Sequence, residues 1–270
     1  MSEGTPATDH FVEKWYRREP EMRIAASFCA RADAAPAGAT DDASARLRFE
    51  AWGALLHELR EALFELPDAG VAAAKRGWWA EELHSIASAR PRHPLGVALA
   101  GLQESKDAPW TGLARALVGG GGEAGSADAA QALAALRPLA QATLAVENAL
   151  FASRNDAAAA DALAVHWLLH RLPRGLGEED GARVPMHLLA RHATPAAALA
   201  SAPDALLRDW AGELLAALPT NAGGAFVRRA RSRFDRARLQ RLQSRGGQGG
   251  FDDPAAPGTL WRAWRAARGG

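Results

Sequence analysis

Apolar residues in this chain recur three and four apart almost from end to end, and nowhere do they alternate with polar residues for the length of a strand. Phe49, Trp52, Leu55, Leu56, Leu59, Leu63 and Leu66 give the clearest case, since that spacing lays one apolar stripe along a helix. The stretch from Asp156 to Leu172 goes further: it is apolar nearly all round, which predicts a helix buried among others. An all-α fold follows, and local signals punctuate it. Pro20 suits the first turn of a helix, where no backbone donor is needed. A polar, Ala-rich loop near Ala35 to Asp42 precedes the long Phe49 helix, and Asp68 is placed to cap the helix that carries Trp78 and Trp79. Gly119 to Gly122 with Gly125 ends the helix of Leu113 to Val118, and Ser126 with Asp128 starts the next, which runs roughly from Ala127 to Ser153. Gly175, Gly177, Gly181 and Pro185 break the chain after the buried helix. Short helices near Pro195 and Pro203 lead to an Arg-rich helix from Phe226 to about Gln243, a Gly-rich gap at 246–250 and a last amphipathic turn at Leu260 to Trp264.

A chain of 270 residues, 48% of them hydrophobic, buries a large core as a single domain over residues 1–270, with the Gly-rich linker near 119–125 as its sole internal boundary. The formal charge of +1 gives no ground for a nucleic-acid partner, and none is expected. Cys29 is alone, so an intrachain disulfide is impossible and a reducing compartment is the simpler expectation. No apolar run reaches the ~20 residues of a membrane span. These features together predict a cytoplasmic protein. Ser-His-Asp, Cys-His and phosphate-loop signatures are missing, because the Gly119 to Gly122 run is not followed by Lys-Ser/Thr.

Two segments carry a family likeness. From Lys75 to Leu99, Trp78-Trp79-x-Glu81-Glu82-Leu83 is followed about ten residues on by Arg92-His93-Pro94 opening a new apolar helix. From Val165 to His192, a buried helix passes through a Gly-rich loop into Pro185 and a Leu-Leu helix. Both resemble the squalene/phytoene synthase family, and the likeness extends from about Phe11 to Arg268. It implies an isoprenoid-synthase-like helical bundle around a central cavity. Synthases of that family condense two isoprenyl diphosphates, whose negative charge is bridged by magnesium to two Asp-rich motifs on facing helices. Here the first motif falls on Glu58, Glu61 and Glu65, single glutamates in place of aspartate pairs, with His57 and Arg60 beside them. Glu61 and Glu65, four apart, point to one side of a helix, where a solvated charged face is the alternative reading. The second motif falls on Arg171 with Arg174 and Gly175, or, counted back from Pro185, on Arg174 with Gly177 and Glu178. Either register puts guanidinium where a magnesium cluster needs carboxylate.

The resemblance therefore implies a non-catalytic relative with no metal and no cofactor. Its cavity would be lined by His57, Arg60, His166, His170, Arg171 and Arg174 and would take an apolar or prenyl-type small molecule; its surface would alternatively take a protein partner. Degenerate members, a mitochondrial complex I assembly factor among them, are precedents for the partner role. The other reading is an active magnesium-dependent prenyltransferase using Glu58, Glu61, Glu65 and Glu178.

Two further constellations stand apart from that likeness. His166 and His170, four apart, have a metal-ligand spacing but no third ligand, so hydrogen-bonded histidines or a direct anion site are the alternatives. Arg228, Arg229, Arg231, Arg233, Arg236, Arg238, Arg241 and Arg245, with Asp235 the sole acid among them, fit an anionic membrane surface and a peripheral location. Phe226, Phe234, Leu239 and Leu242 equally fit that helix as an ordinary amphipathic one. The nine tryptophans are scattered over helices and read as core.

Overall fold

A computed structural model describes residues 6–32, 42–120, 125–154, 156–169, 172, 176, 180, 183–245 and 257–268. Among them are no strands; the chain forms helices α1 (Pro6–Arg18), α2 (Pro20–Ala26), α3 (Cys29–Ala32), α4 (Asp42–Phe64), α5 (Ala69–Ala87), α6 (Pro94–Ala100) and α7 (Trp110–Gly119). There follow α8 (Ala129–Leu150), α9 (Ala157–Leu169), α10 (Met186–Arg191), α11 (Asp204–Ala217), α12 (Phe226–Arg245) and α13 (Pro257–Ala267). His170, Arg171, Arg174 and Glu178 lie outside the described residues, as do the 246–250 gap, most of the loop before α4 and most of the 119–125 linker.

Sequence chemistry accounts for most starts. Asp68 accepts from Val71 N (2.8 Å) to cap α5, and Asp128 accepts from Gln131 N (2.8 Å) to cap α8. Pro20 and Pro94 occupy the first turns of α2 and α6. Two helices are longer than their sequence suggests. α11 extends for 14 residues because Leu206, Leu207, Trp210, Ala211 and Leu214 sustain one buried stripe, and α13 is an 11-residue helix, not a turn.

Helix ends tell a different story. α5, α8 and α10 each close with a residue in the left-handed region, and each time it is alanine: Ala89 (φ 54), Ala152 (φ 46) and Ala193 (φ 46). The backbone bonds of this closure are the same three times. Arg90 N donates to Ser85 O (2.8 Å), Ser153 N to Asn148 O (3.1 Å) and Thr194 N to Leu189 O (2.9 Å), the six-to-one bond that satisfies the last free carbonyls.

The core centres on α4, buried along its length from Ala51 to Arg60, with α1, α5 and α6 on one side and α9 and α12 across the middle. α5 packs on α7, α8 on α9, α11 on α12, and α13 crosses α12 and α2. Trp15, Trp52, Trp79, Trp110 and Trp210 are fully buried, whereas Trp78 and Trp261 are exposed. α1 lies close on α4 because Gly53 has no side chain: a Cβ there would sit 2.1 Å from Trp15 Cη2.

Candidate functional site

α9, predicted to run through the centre, is buried along nearly its whole length, and it carries His166 to the meeting point of α4, α12 and the α1–α2 junction. There the structure brings together three of the anticipated lining residues. Arg60 donates from Nη2 to His57 Nδ1 (2.9 Å) and from Nη1 to His166 Nε2 (3.3 Å). Because a guanidinium has no acceptor, His166 Nε2 accepts, which leaves Nδ1 protonated and donating to Asp235 Oδ2 (2.9 Å). The tautomer is thus assigned by the network.

Charge balance comes from Glu19 and Glu21, which the sequence did not single out, and from members of the Arg-rich helix. Glu19, buried at the bend before Pro20, accepts from Arg60 Nη1 (2.6 Å) and Arg231 Nη2 (3.0 Å). Arg238 pairs with Asp235 Oδ1 (3.1 Å) and with Glu21. Burial alone would raise the Glu19 carboxyl, but the Arg231 and Arg60 guanidiniums outweigh it and hold it well below the usual carboxylate range. His57 is pushed down to about 3 by burial and then by the Arg60 charge, and His166 is lowered chiefly by burial. Arg238, also desolvated, falls to about 10. Both histidines are therefore neutral and act as hydrogen-bonding spacers between fixed charges.

A spacing signal was available for the α12 members. Arg228, Arg231, Asp235 and Arg238 recur at three, four and three residues, the spacing that lays residues along one side of a helix. All four are buried. Arg228 makes a second buried centre, donating to Glu147 Oε2 (2.7 Å), which also accepts from Trp52 Nε1 (3.0 Å). The half-buried Arg229 and Arg236 donate to main-chain carbonyls of Ala266 (2.9 Å) and Leu218 (2.7 Å), clamping neighbouring segments.

The first-motif glutamates form a third cluster, and the solvated-face alternative fails for them. Glu58 is 4% exposed and accepts from Lys14 Nζ (2.7 Å). Glu61 accepts from Lys14 (2.9 Å) and Lys75, and Glu65 from Arg18 Nη2 (2.9 Å), with Arg60 Nε at 3.7 Å. Burial pushes the Glu61 carboxyl up, and Lys75 and Lys14 more than reverse it. Two of the three lysines in the chain are spent here. Such a donor set does not fit a divalent cation, because the ground between the carboxylates already holds ammonium groups.

The Trp-Trp segment is architectural. Glu82, fully buried, accepts from the main-chain N–H of Arg92 and His93 (both 2.9 Å), fixing the entry to α6, while Glu81 stays exposed. His93 accepts from Leu95 N (3.2 Å) as the α6 cap and packs its ring on Phe11 and Trp79.

Among the described residues, no three of His, Cys, Asp and Glu are grouped to hold a metal ion, and no helix is long and apolar enough to cross a membrane. Searches of protein-family models, curated proteins and solved structures find no match to this chain.

Proposed function

We propose that this protein is a non-catalytic relative of the squalene/phytoene synthases, a helical scaffold that works by binding a protein partner. One observation carries the reading: Glu58, Glu61 and Glu65, the acids on which a diphosphate–magnesium centre would depend, are each engaged by Lys14, Lys75, Arg18 or Arg60. A carboxylate that lends its charge to a lysine a hydrogen bond away has little left for a hydrated divalent cation. Behind those acids, the interior is occupied by the Glu19–Arg60–His166–Asp235 network, which makes a poor lining for an apolar chain. The exterior is the better working surface, with Val71 and Trp78 exposed on α5 and Val97 on α6.

Calorimetry with magnesium and farnesyl diphosphate, followed by product analysis, tests this reading. No metal-dependent heat and no condensation product are expected. Magnesium-dependent binding or turnover would overturn it in favour of a prenyltransferase, and saturable binding of uncharged farnesol would replace the protein partner by an apolar ligand.

A further inference from the structure

α13 reverses the pattern of an amphipathic helix packed on a core. Thr259, Ala263 and Ala266, four and three apart, form the side buried against α12, α2 and α3, so the seam is made of small residues. The large apolar residues face the other way. Leu260 is 54% and Trp261 56% exposed, and the spacing sets Leu260, Trp264 and Arg268 in one row beside Trp261, Arg265 and Arg268 in the next. Trp264 stacks on Trp261 with ring centroids 4.7 Å apart, and the Arg268 guanidinium lies 4.2 Å from the centroid of the Trp264 ring. Indole and guanidinium are thus presented side by side. Their charge is of one sign, because α13 contains no acid and, among the described residues, Arg262, Arg265 and Arg268 take part in no ion pair. Arg262 lies over Gly258, and burial followed by the neighbouring Arg241 guanidinium holds it below its ordinary value. In α12, by contrast, Arg228, Arg231 and Arg238 are turned inward and spent on Glu147, Glu19 and Asp235.

We infer that α13 lays this face on an anionic phospholipid bilayer, with the indole rings of Trp261 and Trp264 among the headgroups and Arg265 and Arg268 on lipid phosphates. Indole suits that depth because its apolar body and its N–H call for a surface that is apolar on one side and wet on the other. Leu260 adds apolar area next to the rings. Each exposed arginine is drawn to the negative potential of such a surface, and a basic, Trp-bearing helix lying in the plane of the interface meets both demands at once. A second copy of the chain fits less well. A two-fold contact of α13 with α13 would bring the arginines of both copies together, with no acid on either helix to meet them. The face is on a different helix from Val71, Trp78 and Val97, so lipid binding stands or falls apart from the protein partner proposed above.

The full chain is sedimented with vesicles of phosphatidylcholine alone and of equimolar phosphatidylcholine and phosphatidylglycerol, at low and at raised salt. Binding is expected to the anionic vesicles and to fall as salt rises. Arg265→Gln should weaken it roughly fivefold, the pair Arg265→Gln with Arg268→Gln about thirtyfold, and Trp261→Ser about tenfold. All three side chains are exposed, so the variants are expected to keep the thermal midpoint of the wild type. Three results overturn the inference: no binding of the wild type to anionic vesicles, equal binding to both kinds of vesicle, or wild-type binding by the double arginine variant and by Trp261→Ser. A dimer in sedimentation equilibrium that Trp261→Ser abolishes, found without vesicle binding, replaces the bilayer by a second copy of the chain.

Discussion

At the scale of single residues, the tightest constraint is the contact of Trp15 with Gly53. Adding one methyl group there would drive a Cβ to 2.1 Å from the indole edge, and neither helix can yield without moving its neighbours. Gly53→Ala is expected to cost at least the ~1–3 kcal/mol typical of overpacking, read as a fall of several degrees in the calorimetric midpoint. A second residue-scale expectation concerns acid. His57 titrates at about 3 in the fold against an ordinary 6.5, so below pH 6.5 the unfolded chain binds the proton that the folded chain refuses. Stability from this source is complete above pH 6.5 and lost as pH falls toward 3, at up to ~1.4 kcal/mol per pH unit. Glu19, held below its ordinary 4.5, adds loss in the same direction at lower pH. Urea unfolding from pH 7 to pH 4 should show that decline, and His57→Asn, which keeps an acceptor near Nδ1, should flatten it. His57, Arg60 and the first-motif acids could be read from the sequence as neighbours along one helical stretch. Glu19 could not, because a glutamate before a proline looks like an ordinary exposed bend.

Elements are joined here by buried charges as much as by leucine. Glu147 on α8 holds Arg228 of α12 and the indole N–H of Trp52 on α4, so three helices meet at one carboxylate. Removing it strands a guanidinium in a dry interior. Glu147→Ala is expected to cost ~3–5 kcal/mol in denaturant unfolding, whereas the paired change Glu147→Leu with Arg228→Met should recover most of that, since an apolar pair asks for no compensation. The same logic explains what was legible in α12. Its length and its Phe226–Phe234–Leu242 side followed from periodicity, but arginine as a residue type signals solvent, and that prior hid an inward polar stripe. α4 was easier, because Phe49, Trp52, Leu55 and Leu59 are both periodic and apolar.

For the whole molecule, the two ends of the chain close on each other. Glu19 bonds Arg231 across 212 positions of sequence, and α13 packs on α2. The N-terminal helix is therefore part of the core. A chain lacking residues 1–18 loses Trp15, Lys14 and Arg18 together, and is expected to lose its cooperative thermal transition in near-ultraviolet circular dichroism. All-helical architecture was legible at this scale; the closure was not, since pairings so distant leave no local pattern. The alanines that end α5, α8 and α10 in the left-handed region have a consequence for the molecule as a whole. Each carries a steric penalty of roughly 1–2 kcal/mol that glycine would relieve, less the extra freedom glycine gives the unfolded state. Because Ala89, Ala152 and Ala193 sit at three separate helix ends, the gains should add, and a triple glycine variant is expected to withstand measurably more urea than the natural chain. Evolution has left this protein short of its own ceiling, with the margin parked in three methyl groups.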